Sequence, residues 1–216
     1  SGDSANDLRD RRDLLLDQLS ELGPVSYTEQ DDHSVTVYLG NHELVTGNIA
    51  RDVEAIPDVA KPGFTQLVFA MDGEAVQSTT GEIKGLFDAR DVAVPGVSAK
   101  LDALAAGLIT SVNTLHQAGF GLDNSTGLAF FTGTGAANIA LNATLAGNPN
   151  RIAASSAAGS PGNGANALAI ADLQLAQTMA AGTATFGEYY GDMVSVLGAD
   201  ASRAQGLAES GTLLVS

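Results

Sequence analysis

Cysteine and tryptophan are absent from this chain, and lysine occurs only at Lys61, Lys84 and Lys100. Without cysteine there can be no disulfides and no thiolate metal ligands. Ten basic residues stand against 25 acidic ones, a formal net charge of −15. That balance argues against nucleic acid as a partner, because neutralising phosphates needs clustered Lys and Arg. It also disfavours anionic membranes. Long hydrophobic runs are lacking too. The most charge-poor helical stretch, Ala103–Leu115, is interrupted by Thr110, Ser111, Asn113 and Thr114, short of the roughly 18 apolar residues of a membrane span. No signal peptide is visible, since Asp3, Asp7, Arg9 and Asp10 replace the basic start and apolar core. A chain of 216 residues suffices for one large domain or two small ones.

What is present is periodicity. After Asp102 the stretch Gly81–Gly119 carries no Asp, Glu, Lys or Arg. Val97, Leu101, Leu104, Leu108, Val112 and Leu115 recur at three and four, which predicts a helix with one continuous apolar stripe. Its other faces are Ala, Gly, Ser and Thr, so it must be covered on several sides or meet a partner. Asn6–Leu22 reads as an amphipathic helix with Leu8, Leu15, Leu19 and Leu22 on one face, stopped by Gly23-Pro24. Val25–Glu29, Val35–Leu39 and Leu67–Phe69 read as strands. Ile49–Ile56 is a weaker strand, Asp31-Asp32-His33-Ser34 a hairpin turn, Pro57–Gly63 a loop and Asp72-Gly73 a second turn.

From Asn124 to Ala171 the only charged residue is Arg151. Ile139, Leu141 and Leu145 suggest an exposed-face strand, and Ala157–Gly164 a flexible linker. Helix returns from Ala165 to about Ala180. After a break near Gly182, a long helix begins at about Thr185. Its expected seam is Phe186, Tyr190, Met193, Leu197, Asp200, Ala204, Leu207, Gly211 and Leu214. The apolar end, Leu213–Val215, has no cap and reads as a cut inside a longer helix.

Chemistry is harder to find. His42-Glu43 lacks a second histidine at helical spacing, so the zinc-protease motif fails. His33 and His42 fall in predicted turns as surface residues, and His116 near a helix end, where it would bond terminal carbonyls or favour the dipole. Gly133-Thr-Gly135-Ala-Ala-Asn138 approaches a nucleotide-binding G-x-G-x-x-G but lacks its third glycine. Asp123–Gly127 has some calcium-loop character without the downstream acid and reads as a turn. Asp88, Arg90 and Asp91 suit ion pairs at a helix start, or a joint between a β module and a bundle. Tyr189 and Tyr190 suit core and rim. The expectation is no catalytic, cofactor-binding or metal-ligating residue.

The stretch Gly81–Gly119 carries a family resemblance, and so do further motifs in order: Asn6–Leu16; Glu29–Asp32 with Val35–Gly40; Gly119–Asn124 with Phe130-Phe131; and Gly164–Leu168 with Leu173-Gln174. They are followed by Phe186–Gly198. Together they resemble the flagellar hook-associated protein 1 (FlgK-type) family. The resemblance implies a non-enzymatic structural component of the bacterial flagellum, at the junction of hook and filament. It implies export by the flagellar secretion system to an extracellular site. It further implies ring self-assembly of the full-length protein, with hook protein, a second junction protein and an export chaperone as partners. The chain would be a middle fragment lacking both terminal segments, and monomeric. The expected fold is α+β, a long-helix bundle with a small antiparallel β domain inserted. Residues 1–23 and 85–216 would form the bundle, with a β/loop excursion at about 120–163, and 24–84 the insert. Another flagellar axial protein and a secreted adhesin-like module are the alternatives.

Overall fold

β-branched and aromatic residues cluster between Val25 and Phe69, and there the backbone pairs into antiparallel sheets. The computed structural model describes residues 3–31 and 34–215, with backbone alone for 3–5 and 211–215. It is a mixed α+β chain of helices and small antiparallel sheets. Contacts divide it into two units, Ser1–Val92 and Ala93–Ser216.

In the first unit, α1 (Asp3–Leu22) leads into β1 (Val25–Glu29), β2 (Val35–Leu39), β3 (His42–Thr46) and β4 (Ile49–Ala50), a four-stranded meander. β5 (Val53–Pro57) and β6 (Thr65–Phe69) form a separate hairpin. The weak strand expected at Ile49–Ile56 is thus two strands in two sheets. His42 lies in β3, half-buried and stacked on Phe69 at 4.8 Å, not in a surface turn. The residue pattern His42-Glu-Leu-Val-Thr carries little alternation, which hid the strand. The β1–β2 turn closes through the Gln30 N–H donating to the Ser34 carbonyl. Asp32 and His33 of that turn lie outside the described residues. Asp72-Gly73 makes its expected turn, with Asp72 accepting from the Glu74 N–H.

Leu39, Phe69 and Val76 form the buried core, with Val25, Leu44 and Leu67 packed on it. Full burial of a side chain such as Phe69 stabilises by about 2–3 kcal/mol. α1 buries less than its pattern promised. Leu8, Leu15 and Leu22 are exposed, and Leu16 and Leu19 are half-buried. α2 (Gly81–Asp88) packs against α1, and the contact is close. A Cβ on Gly81 would lie 2.6 Å from the backbone of Leu22 and Gly23, and its φ of +81° already favours glycine.

A π-helical turn, Ala89–Ala93, follows α2. It directly precedes the point where Pro95, lacking an N–H, would crowd the Asp91 carbonyl of a regular helix. In the second unit α3 (Val94–Ala118) is packed by α5 (Ala165–Asp172) and α6 (Phe186–Val215). Its buried residues are Ile109, Val112 and His116. Of the expected stripe only Val112 is buried, Leu101 is exposed, and the others are intermediate. By length and composition Gly81–Ala118 is apolar enough to cross a membrane, contrary to the shorter window read from the sequence. Its last turns are packed by protein. Gly107 matters here, since a Cβ would meet Met179 Sδ at 2.6 Å and Phe186 at 3.5 Å.

The segment between α3 and α5 is mostly irregular. β7 (Phe131–Thr132) pairs with β8 (Ala140–Leu141), and α4 (Ala143–Ala146) buries Leu145. The exposed strand expected through Ile139, Leu141 and Leu145 is therefore two residues long and turns into helix, because Asn142 caps α4 by accepting from the Thr144 N–H. α5 stops at Asp172, eight residues short of expectation. Ala180, Ala181 and Gly182 all have positive φ, so the break is wider than one glycine. α6 begins where expected. Thr185 Oγ1 accepts from the Glu188 N–H at 3.1 Å while Glu188 Oε2 accepts from the Thr185 N–H at 2.8 Å, a reciprocal capping box.

Candidate functional site

The residues singled out by sequence are mostly engaged in holding backbone. In the first unit the expected Asp88, Arg90 and Asp91 group is real but extends further. Arg90 grips Asp91 with two bonds, Nε to Oδ1 at 2.7 Å and a terminal nitrogen to Oδ2 at 2.8 Å. Lys61 Nζ reaches the same Oδ2 at 2.5 Å. Arg90 also donates to the Thr65 carbonyl at 2.6 Å and lies over the rings of Phe87, at 4.6 Å, and Phe64, at 5.3 Å. Hydrogen bonds from Arg90 first, and Lys61 second, hold the Asp91 carboxyl well below the usual carboxylate range. Asp88 pairs instead with Lys84, one helical turn earlier. The cluster ties the end of α2 to β6 and its preceding loop. Sequence reading missed Lys61, Phe64 and Thr65 because they are 25 or more positions away.

In the second unit His116 is fully buried. Its Nδ1 is 2.7 Å from the Leu128 carbonyl and its Nε2 is 3.0 Å from the Ala153 N–H. One nitrogen must donate and the other accept, so the ring is the neutral Nδ1–H tautomer. It packs edge-on to Phe130 at 5.3 Å. The expectation that it bonds helix-terminal carbonyls is overturned: α3 ends with the Gly119 N–H on the His116 backbone carbonyl, while the ring reaches across to two loops. Two other α3 side chains act alike. Asn113 Oδ1 accepts from the Phe130 and Phe131 N–H groups and its Nδ2 donates to the Phe131 carbonyl. Asp102 Oδ1 accepts from the Ala136 N–H.

That last bond disposes of the G-x-G motif. A phosphate cradle needs free backbone N–H groups. Here Asn138 Oδ1 takes those of Thr134 and Gly135, and Asp102 takes that of Ala136. Asp123 is equally engaged. It accepts from the Ser125 N–H at 3.0 Å and approaches Arg151 at 3.5 Å. Hydrogen bonding from Ser125, then the weaker pull of Arg151, lowers its pKa. The supposed linker Ala157–Gly164 is pinned, with the Gly159 N–H on Asn124 Oδ1 at 2.6 Å and Ser155 Oγ bonded to Ala157. Tyr189 is half-buried and Tyr190 exposed. Among the described residues of the expected α6 seam, Met193 is buried, while Tyr190, Leu197 and Leu207 are exposed. Among the described residues no group of three His, Asp or Glu side chains is placed to hold a metal ion.

Each unit carries a concavity. An open groove of about 540 Å³ in the second is lined by Phe120, Leu122, Pro149, Ile152 and the 157–163 loop. A smaller one of about 280 Å³ in the first lies between α1 and the sheets, lined by Leu19, Leu39, Leu67 and Ile83. Neither gathers convergent polar side chains with perturbed pKa values, the usual mark of a reacting site.

A chain whose polar side chains brace loops onto a long helix, with apolar faces left uncovered, has the character of a structural subunit. Comparison with known proteins is specific on this point. Residues 1–131 match the family described as "Flagellar hook-associated protein FlgK helical domain". The chain belongs to that family, whose members are structural components of the bacterial flagellum and serve motility. It is 30% identical over 139 residues to flagellar hook-associated protein 1 of Escherichia coli K12, covering 61% of this chain and 25% of that protein. The protein of the same name from Salmonella typhimurium LT2 is 30% identical over 141 residues, with the same coverage. The matched region spans about a quarter of the length of these relatives.

Proposed function

We propose that this chain is the central part of a hook–filament junction subunit, a mechanical adaptor without catalytic, cofactor or metal chemistry, needed for filament assembly. The observation that carries it is the family match across residues 1–131. The site geometry supports it, since His116, Asn113 and Asp102 are committed to the chain's own backbone. In the full-length protein the helices join a long bundle carrying the 24–84 strands as an insert. Exposed Leu8, Leu15, Tyr190 and Leu197 are faces such a bundle covers. Full-length subunits pack head-to-tail into a ring, contacting hook protein, a second junction protein and, before export to the cell exterior, a chaperone.

Deleting the full-length gene tests the reading. The expected outcome is flagellin shed as monomer into the medium. Attached filaments on the deleted strain would overturn the junction role. The 216-residue chain alone is expected to sediment as a monomer, and a stable ring would contradict that.

A further inference from the structure

Asn163 is the only asparagine in the sequence followed directly by glycine. It sits in the loop before α5. Gly164 has no side chain to shield its nitrogen, and a Cβ built there would meet nothing within 4 Å. The Asn163 side chain is folded back along its own chain, with Oδ1 accepting from the Ala165 N–H at 2.9 Å. This Asx turn fixes the side-chain amide against the backbone immediately following it, and the hydrogen bond withdraws electrons from Cγ. Nδ2 lies 3.2 Å from Ser156 Oγ, which places a hydroxyl beside the nitrogen that would leave. Asn124, by contrast, has its Oδ1 held by the Gly159 N–H and is followed by a side-chain-bearing serine.

We propose that Asn163 is a site of spontaneous covalent modification. The Gly164 backbone nitrogen gives its proton to solvent base and attacks Asn163 Cγ. The N–Cγ bond forms, the Cγ–Nδ2 bond breaks, and the amide nitrogen takes up a proton and leaves as ammonia. Water then opens the five-membered imide. Opening at Cγ yields aspartate, and opening at the main-chain carbonyl yields isoaspartate. No oxidant, cofactor or enzyme enters the balance.

The two products act differently on the fold. Aspartate keeps the Ala165 contact and puts a negative charge at the start of α5, where the helix dipole favours it. Isoaspartate lengthens the backbone by one methylene, three residues before Asn166. Asn166 anchors α5 through Nδ2 to the Ala153 carbonyl at 2.6 Å, beside the N–H that His116 accepts. The modified chain therefore gains charge in a segment whose only charged side chain from Asn124 to Ala171 is Arg151, and part of it loses the α5 anchor.

The test is incubation of the 216-residue chain in mildly alkaline buffer, followed by peptide mapping. The expected result is a mass gain of about 1 Da at Asn163, in two chromatographically distinct isomers, ahead of every other asparagine. Gly164→Ala, for which there is open space, should slow it several-fold with an unchanged circular dichroism spectrum. The urea-unfolded chain should react no faster than the folded one. Conversion of Asn41 or Asn124 with Asn163 intact would overturn the proposal. So would an unaltered rate in Gly164→Ala, or a folded chain much slower than the unfolded one.

Discussion

His116 Nε2 accepts the backbone N–H of Ala153 at 3.0 Å, across 37 positions of sequence. The other ring nitrogen donates to the Leu128 carbonyl, so one side chain fixes two points of the irregular segment after α3. His116→Ala leaves a buried donor and a buried acceptor without partners. The expected loss is about 3 kcal/mol, combining the unpaired groups and the cavity. Hydrogen exchange at the Ala153 amide reads it directly. Continued slow exchange in the variant would show that the bond contributes nothing.

The Arg90–Asp91–Lys61 cluster carries a pH dependence. The folded-state pKa of Asp91 is depressed, so its contribution is fully present above the ordinary aspartate value of about 4 and fades as pH falls from there toward the folded value. Asp123 and Glu188 are shifted in the same direction and add to the acid sensitivity. Comparing urea midpoints of the parent and Asp91→Asn should give a gap at neutral pH that narrows below about pH 4. A gap independent of pH would remove the ion pair from the account.

Two glycines four residues apart should respond oppositely. Gly81→Ala forces a Cβ to 2.6 Å from the Leu22 and Gly23 backbone at positive φ, with an expected cost of about 2 kcal/mol or more. Gly85 lies within α2 with open space around its Cβ position. Gly85→Ala should stabilise by about 0.5–1 kcal/mol through helix propensity. Thermal unfolding of both variants decides, and equal effects would contradict the close contact of α1 and α2.

The start of α6 depends on the Thr185–Glu188 box. Thr185→Ala should cost about 1 kcal/mol and accelerate exchange at the Glu188 amide. Glu188→Gln keeps an acceptor for the Thr185 N–H but removes the charge, so it should retain most of the helix while losing the acid dependence contributed by this site. Matching losses in both variants at neutral pH would mean that the carboxylate charge contributes as much as the Thr185 hydroxyl cap.

Local signals account for much of the chain. Val25–Glu29, Val35–Leu39, the Asp72-Gly73 turn and the start of α6 follow from side-chain period, glycine chemistry and a Thr-x-x-Glu cap, all encoded within a few residues. The family resemblance is legible for the same reason, as motifs in order. β3 is not, because a strand in the middle of a meander is fixed by neighbours on both sides more than by its own alternation.

Composition and local pattern suffice for most element types, the acidic balance, the lack of thiol chemistry and the likeness to a flagellar structural family. Which side of each helix is buried, and what its polar residues do, emerges only from the folded contacts. Val97 to Leu115 reads as one buried stripe, yet the buried face is Ile109, Val112 and His116. Burial depends on which segment arrives to cover a helix. Here the covering loops are irregular and return through Leu128 and Ala153, and their unpaired backbone groups select Asn113 and His116 as partners. Those partners lie 12 to 37 positions away, beyond the reach of any local pattern.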